Sequence, residues 1–151
     1  QERELRSWLY GRAPEAASRF AAALEGMAAD VEDSYAVAVE AVLVGDCDVD
    51  PAVAALVQAA REAVVNAARH SGVDTVSLYG EVEPQRVVVY VRDRGVGFDP
   101  ADVPADRQGI RGSIHGRMAR FAGHARLRSA PGAGTEVELS VDRADVAAVR
   151  G

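Results

Sequence analysis

The sequence predicts an α+β domain, a two-layer sandwich in which three helices cover one face of a mixed, mostly antiparallel sheet of about five strands. Two observations predict this fold class. Apolar residues recur at helical spacing in three segments, and they alternate or run continuously in about five short ones. Hairpins dominate the strand segments, which favours an antiparallel sheet packed on one face by helices. A chain of 151 residues is long enough for one such domain.

The first predicted elements are a helix over 15–33 and a strand after it. The apolar positions that define the helix are Phe20, Leu24, Met27, Val31 and Tyr35. The segment 36–46 follows and contains a strand that ends at Gly45. The first dozen residues fit no period, so they are compatible with the end of a preceding helix or with an edge strand.

A second helix is predicted over 51–70 because its start and stop signals are both present. Asp50 followed by Pro51 is an N-cap residue with proline at the first helical position, and Gly72 supplies the stop. Its apolar residues lie on one side of the helix and should be buried. They are Val53, Leu56, Val57, Ala60, Val64 and either Ala67 or Ala68.

The second half of the chain is rich in strands. Residues 75–82 alternate with period two, residues 83–85 make a turn, and the almost continuously apolar residues 86–92 predict a central strand, so this segment is a hairpin. The remaining predicted elements are a loop over 93–110, a third helix over about 112–122, and a second hairpin with strands over 124–130 and 135–141.

Composition excludes several classes of function. The single cysteine, Cys47, excludes an internal disulfide and a clustered cysteine metal site. All 17 basic residues are arginine, so a P-loop, which places a lysine on the phosphates, is impossible. A net charge of -6 argues against non-specific nucleic-acid binding, and no apolar run approaches the roughly 20 residues needed to span a bilayer.

Polar side chains on the second helix form one narrow stripe. Glu62, Asn66 and His70 are spaced i, i+4 and i+8, with Arg69 three residues after Asn66, which is the only asparagine in the chain. Taken alone, this stripe is compatible with a solvated helix face. An asparagine in mid-helix costs a few tenths of a kcal/mol against alanine, however, and its side chain offers an oxygen suited to Mg²⁺.

Two glycine-containing segments could bind the parts of a nucleotide. Asp93, at the end of the central strand, is an acceptor for the exocyclic amine of a purine, while Gly95 and Gly97 let the backbone approach a flat ring. The segment GIRGSI over 109–114 opens the third helix, where exposed backbone N–H groups can hold phosphate without a lysine. The alternatives are a plain turn and a flexible glycine loop.

Together these segments resemble a known family. Four motifs follow in the order of the N, G1 and G2 boxes and terminal glycine motif of the GHKL ATPases. They are Glu-x-x-x-Asn on a helix, Asp-x-Gly-x-Gly-Phe after a strand, Gly-x-x-Gly at a helix start and Gly-x-Gly-Thr over 132–135. The resemblance runs from about residue 18 to 141 and implies their Bergerat fold. Segments 61–72, 93–100 and 109–139 are most similar to ATP-binding domains of sensor histidine kinases that pair with helix-turn-helix (NarL-like) response regulators.

The resemblance implies roles in metal and phosphate binding. Asn66 would ligate the Mg²⁺ that bridges the phosphates, and Glu62 would either orient the water of the metal or act as a base. The residues implied to contact the triphosphate are Gly109, Ile110, Arg111, Gly112 and Ser113, together with Arg69 or His70.

The resemblance also implies an adenine pocket. Asp93 would hydrogen-bond the adenine amine, Gly95 and Gly97 would shape the pocket, and Thr135 would support that hydrogen-bond set from the last strands. The loop over 99–108 would be a short ATP lid.

The implied function is the catalytic and ATP-binding domain of a sensor histidine kinase, which donates the γ-phosphate of ATP to a histidine on a separate dimerisation domain. Its partners would be that domain of the same full-length protein and a cognate response regulator, with no nucleic acid and no membrane contact by this fragment. The alternatives are an anti-sigma-factor serine kinase and another GHKL ATPase that hydrolyses ATP.

The resemblance also divides the chain into three parts. Because it begins on Gln1 rather than methionine, we expect it to be a piece of a longer protein. Residues 1–14 would be the end of a linker from the dimerisation domain, 15–142 the ATP-binding domain, and 143–151 a flexible tail. None of its three histidines suits a phosphoacceptor, so the piece alone should barely autophosphorylate. We expect a cytoplasmic location, with the full-length protein anchored in the membrane.

Overall fold

The computed structural model describes residues 19–70, 72–97, 114, 116, 118–120 and 123–143. The predicted linker over 1–14 and the tail after Arg143 lie outside these residues. In chain order the elements are α1 (Phe20–Tyr35), β1 (Ala38–Val44), α2 (Pro51–His70), β2 (Thr75–Val82), β3 (Arg86–Asp93), β4 (His124–Ser129) and β5 (Thr135–Asp142).

One five-stranded sheet carries the fold, and its strand order is β1-β2-β3-β5-β4. β1 pairs in parallel with β2, while the other three pairings are antiparallel, so the predicted mixed, mostly antiparallel sheet is confirmed. Both predicted hairpins are present. β3 occupies the centre, as its almost continuous apolar sequence predicted, and most of its side chains are buried.

The two helices pack against one face of this sheet. α1 lies against β1 and α2, and α2 lies against β2, β3 and β5. Of the predicted third helix over 112–122, the described residues Ile114, Gly116, Met118 and Ala119 have helical backbone. Ile114 and Met118 are buried in the same core as the helices. No helix among the described residues is both long and apolar enough to cross a membrane.

The predicted limits of α2 agree with its local chemistry. The Asp50 carboxylate accepts a hydrogen bond from the Val53 N–H at 2.8 Å, which satisfies one of the orphan donors at the helix start. The helix differs from the prediction at Val57, which is half-buried rather than buried. The residues that face the core are mostly alanines, which let α2 lie close to the sheet: Val53, Ala55, Leu56, Ala59, Ala60, Ala63, Val64 and Ala67.

The start of α1 is capped by a residue distant in sequence. Its own N-cap residue, Arg19, makes no side-chain cap. Instead the Asp46 carboxylate, after β1, accepts hydrogen bonds of 2.9 Å from the N–H groups of Ala21 and Cys47. Burial raises the pKa of Asp46, but these two N–H groups and the Arg19 guanidinium outweigh it, so the pKa lies below its ordinary value.

We expect Asp46→Ala to lower the free energy of unfolding by about 1 to 2 kcal/mol, the cost of a lost helix cap. Urea denaturation measures this change in the free energy of unfolding. Asp48→Ala is the matched control, because Asp48 contacts the same Arg19 at 2.9 Å on the surface, and we expect about 0.5 kcal/mol or less from it.

The difference in free energy of unfolding between wild type and Asp46→Ala should depend on pH, because the pKa of Asp46 is lowered in the folded state. The contribution of Asp46 is complete above the unfolded-state pKa of about 3.9 and disappears as the pH falls through the lower folded-state pKa. Wild type and Asp46→Ala should therefore converge in stability in acid. Equal losses from the Asp46 and Asp48 variants at pH 7 would show that the cap is unimportant.

Candidate functional site

The end of β3 and the beginning of β5 bring two predicted site residues side by side. In the strand register Asp93 is paired with Thr135. Asp93 continues the buried side of β3, which carries Val87, Val89 and Val91 into the core, and only 6% of it is exposed. A nearly buried carboxylate needs polar partners, so this end of the sheet is built to bind hydrogen-bond donors.

The backbone after β3 holds the Asp93 carboxylate in a fixed direction. The Gly95 N–H donates to Asp93 Oδ1 at 2.8 Å. An ionised carboxylate has about four acceptor positions, so this bond orients the group without using its capacity. Gly95 therefore also acts through its N–H, whereas the sequence had suggested that it lets the backbone approach a flat ring.

Two glycines allow the loop after β3 to lie directly on the turn between β4 and β5. Gly97 has φ +64 and Gly134 has φ +78, both in the left-handed region that favours glycine. A Cβ on Gly97 would overlap the Ala130 carbonyl oxygen, and one on Gly134 would overlap the Asp93 carbonyl oxygen. The Gly132 N–H donates to the Val96 carbonyl at 2.7 Å and joins the same two segments.

The β4–β5 hairpin adds a residue that the motif analysis missed. Ser129 is paired with Thr135 across the hairpin, and their hydroxyl oxygens lie 2.9 Å apart. Ser129 also donates to the Gly134 carbonyl at 2.9 Å. The register of a hairpin turning over 131–134 could have placed Ser129 beside Thr135. A cavity of about 460 Å³ is lined by Asp93, Ser129, Gly134 and Thr135.

The predicted polar stripe on α2 lies at the same end of the sheet. α2 ends at His70, and β2 begins five residues later at Thr75. The beginning of β2 lies beside the end of β3, since Ser77 is paired with Arg92. The C-terminal half of α2, which carries Asn66, therefore approaches the end of the sheet where Asp93 and Thr135 lie.

Asn66 has an unusual environment for a helix residue in mid-chain. Its Oδ1 atom has less than 1 Å² exposed and no hydrogen-bond partner among the described residues. The Oε2 atom of Glu62, one helical turn earlier, is as deeply buried. The stripe is therefore not a solvated helix face at these two positions. An unpaired buried amide oxygen costs about 1 to 3 kcal/mol, so a ligand at this position would recover that cost.

These residues fit a site that would hold a magnesium ion together with a phosphate group of a bound nucleotide. Mg²⁺ takes oxygen ligands and commonly combines one or two side chains with waters and substrate phosphates. The Asn66 Oδ1 atom is such an oxygen, and Glu62 lies close enough in sequence to hold one of the waters. Within the described part of the chain no three His, Cys, Asp or Glu side chains are grouped as a self-sufficient metal site.

Of the other residues predicted to contact the nucleotide, the structure describes only Arg69 and His70. Arg69 is exposed and His70 half-buried in the last turn of α2, where cations are favourable at the helix C-terminus. The residues predicted to line the triphosphate lie outside the described part of the chain, as does the predicted lid over 99–108. They are Gly109, Ile110, Arg111, Gly112 and Ser113.

The family match covers both the helix and the strands that build this site. Residues 52–145 match the family of histidine kinase-, DNA gyrase B- and HSP90-like ATPases. The match spans more than half of the chain. This protein belongs to that ATPase family. Its nucleotide is accordingly ATP, and the α+β architecture with a mixed five-stranded sheet is the Bergerat fold that the motifs predicted.

Solved structures of histidine kinases share the fold of this ATPase domain. The histidine kinase domain of a blue-light-activated kinase from Erythrobacter litoralis is 19% identical, with a TM-score of 0.65 over 82% of this chain and 64% of that one. The histidine kinase AdeS of Acinetobacter baumannii is 18% identical, with a TM-score of 0.60 over 82% of this chain and 62% of that one. This chain thus spans less than two thirds of either structure. No curated protein matches its sequence.

Proposed function

We propose that this ATPase-family domain is the catalytic domain of a sensor histidine kinase, which binds Mg·ATP and donates the γ-phosphate to a histidine on a separate dimerisation domain. The observation that carries the proposal is the buried Asn66 Oδ1 atom, which has no hydrogen-bond partner among the described residues. Mg²⁺ commonly combines one or two protein oxygens with substrate phosphates, and this oxygen is suited to be one of its ligands.

The proposed site has two ends with different chemistry. Asp93, held by the Gly95 N–H and adjacent to Thr135, accepts a hydrogen bond from the adenine amine. Asn66 holds Mg²⁺, with Glu62 orienting a metal-bound water or serving as a base. Gly109 to Ser113 contact the phosphates at the start of the third helix, and Arg69 or His70 adds a further contact.

Phosphoryl transfer needs positioning and charge stabilisation more than covalent chemistry from the protein. When bound, Mg²⁺ neutralises charge on the phosphate oxygens. The protein contributes a fixed adenine position, a buried oxygen at Asn66 and backbone N–H groups for the phosphates. The acceptor histidine lies on the separate domain, so we propose that the chain alone does not autophosphorylate.

The wider context follows from the same proposal. Residues 1–14 join the domain to the dimerisation domain of the full-length protein, which passes phosphate to a cognate response regulator of the NarL-like type. Residues 15–142 form the domain and 143–151 a tail. The domain works in the cytoplasm without contacting nucleic acid or membrane, while the full-length protein is membrane-anchored.

Mixing this chain with the dimerisation hairpin of the same full-length protein and γ-labelled ATP tests the proposal. We expect label on the hairpin as acid-labile, base-stable phosphohistidine, and none when the acceptor histidine is replaced by alanine. The matched control is this chain carrying Asn66→Ala, which should lose transfer because the metal site is incomplete.

Other products would contradict the kinase assignment in distinct ways. Label on serine of a partner protein would favour the anti-sigma-factor kinase. Release of inorganic phosphate without protein labelling would favour a hydrolase of the same family, in which Glu62 activates water.

A further inference from the structure

The outer edge of β1 is exposed and apolar. β1 lies at one end of the sheet and pairs, among the described strands, only with β2. Its residues Val39 and Leu43 pack towards the core, so by alternation Val42 and Val44 lie on the face away from the helices. These two valine side chains are 56% and 47% exposed. An exposed apolar edge strand is a template for pairing with another strand.

The hydrogen bonds of β1 show which backbone groups point outward. The Ala38 N–H donates to the Asp74 carbonyl at 2.8 Å, and it therefore points towards β2. Backbone groups of successive residues in a strand point to opposite edges. The N–H and C=O groups of Val39, Ala41 and Leu43 consequently point away from β2.

Only one of these outward N–H groups is satisfied within the described part of the chain. The Glu32 side chain on α1 accepts the Val39 N–H at 2.8 Å through its Oε2 atom. The outward groups of Ala41 and Leu43 bond to no described residue. The edge of β1 therefore offers two free donors and two free acceptors on alternate residues.

We propose that β1 pairs with β1 of a second copy of this chain, antiparallel about a two-fold axis at Val42. In this register Ala41 lies opposite Leu43 of the second copy, and each such pair exchanges two N–H···O=C hydrogen bonds. The axis generates two such pairs. All the free groups of Ala41 and Leu43 are then satisfied in both copies, and Glu32 keeps the Val39 N–H.

The neighbouring registers fit the same groups less well. An axis at Ala41 would place the Leu43 carbonyl opposite the Val39 N–H, which is already bonded to Glu32. An axis at Leu43 would place Ala41 opposite Gly45, which follows the end of β1 and has φ +80 rather than an extended backbone. Only the axis at Val42 uses every free group without breaking an existing hydrogen bond.

The side chains are compatible with this pairing. Val42 meets Val42 of the second copy, and Val44 lies opposite Glu40, so apolar surface is covered on the exposed face. The two Glu40 positions are about 13 Å apart along the paired strands, which is beyond the Debye length of about 8 Å at physiological salt. Their mutual repulsion is therefore small.

The size of the contact sets its strength. One strand edge offers little surface beside the roughly 800 Å² per partner of stable complexes, so we expect a weak, reversible dimer. A dimerisation domain in the full-length protein, as proposed above, would raise the effective concentration of the second copy. The pairing itself does not depend on the proposed ATP site.

Disulfide formation between single cysteines tests the register. The two Val42 Cα atoms should be about 4.5 Å apart, as in a non-hydrogen-bonded antiparallel pair, which is within disulfide range. Under air with a copper catalyst, Val42→Cys should therefore form a disulfide dimer. Native Cys47 stays in every variant, because it is buried and burial raises the pKa of its thiol, which slows oxidation.

Two further cysteine variants are the matched controls. Val44→Cys is similarly exposed, but the two copies of this position lie about 13 Å apart in the pairing. Its dimer should form at least about tenfold more slowly than that of Val42→Cys, because this separation is outside disulfide range. Glu40→Cys alone should behave likewise. A mixture of Glu40→Cys and Val44→Cys should form the mixed dimer readily, because these positions lie opposite each other.

A backbone variant tests whether hydrogen bonds hold the copies together. Ala41→Pro removes an outward N–H that the described fold does not use, at a sheet edge where proline is tolerated. Added to Val42→Cys, it should leave the free energy of unfolding in urea nearly unchanged. It should slow dimer formation to the rate of Val44→Cys.

The outcomes are distinct. If Val42→Cys forms a dimer no faster than Val44→Cys, β1 does not pair with itself and the inference is wrong. Absence of the mixed dimer would overturn the register, and so would a Val42→Cys dimer that Ala41→Pro does not slow in a folded chain. If Ala41→Pro unfolds the chain, the mixture decides. None of these results affects the proposed ATP site, because β1 contributes none of the residues assigned to it.

Discussion

Gly97→Ala is expected to weaken ATP binding by about 100-fold or more, although the substitution adds a single methyl group. The new Cβ would overlap the Ala130 carbonyl oxygen and would lie 2.9 Å from the Gly134 carbonyl oxygen. The backbone at φ +64 adds strain of about 1 to 3 kcal/mol. The loop after β3 must then leave the hairpin, which displaces Gly95, whose N–H orients the Asp93 carboxylate.

A second glycine in the same hairpin provides the matched control. Gly132 has φ +79, but a Cβ there would meet no atom within 4 Å. Gly132→Ala therefore carries the backbone strain without the steric overlap. Calorimetric titration with Mg·ATP should show a large loss for Gly97→Ala and a small one for Gly132→Ala. Similar losses in both would mean that strain in the turn, rather than contact between loop and hairpin, controls binding.

Asp93→Asn should reduce ATP affinity by about 10- to 100-fold, the range for a hydrogen bond to a charged group. The asparagine oxygen can still accept the Gly95 N–H, so the loop geometry is retained. What is lost is the second carboxylate oxygen, which we propose accepts from the adenine amine, because an amide presents donors on one side. The fold should survive, as measured by urea denaturation beside the binding titration.

Asp74→Asn is the control for this change of charge. Asp74 is exposed just before β2 and its backbone carbonyl, rather than its side chain, contacts the start of β1. We expect wild-type ATP affinity from it. If Asp93→Asn also retains wild-type affinity, the assignment of Asp93 to adenine is wrong.

The elements of this fold could be predicted because each has a local signal. Asp50 and Pro51 mark the start of α2, and the alternation on either side of the 131–134 turn gives both strands of the second hairpin. The core was less predictable at Val57, since the rotation of a helix depends on the surface it meets. Small alanines close to the sheet left Val57 at the rim.

Sequence motifs select the residue types of the candidate site but not their contacts. The motifs pointed to Asp93, Asn66 and Thr135. The overlap that a side chain on Gly134 would make with Asp93 depends on two segments far apart in sequence, and so does the pairing of Ser129 with Thr135. The capping of α1 by Asp46 is likewise a contact between distant residues. Local periodicity contains no information on such contacts.

The burial of the Asn66 oxygen is the feature that most directly supports a metal site on α2. A helical wheel places Asn66 on a polar stripe, and the stripe alone is compatible with a solvent-exposed helix face. Only the packing of α2 against the sheet shows that its Oδ1 atom is buried and has no partner among the described residues. The proposal therefore stands on the chemistry of this one side chain.

The most direct test uses the fact that Asn66 is the only asparagine in the chain. Labelling the asparagine side chain with ¹⁵N gives one pair of NH₂ cross-peaks, which share one nitrogen signal, in an NMR spectrum of the whole chain. We predict that this signal moves on addition of Mg·ATP, moves much less with ATP and a chelator, and broadens severely when paramagnetic Mn²⁺ replaces Mg²⁺. A signal that stays unchanged at concentrations of Mg·ATP that calorimetry shows to be saturating would contradict the account.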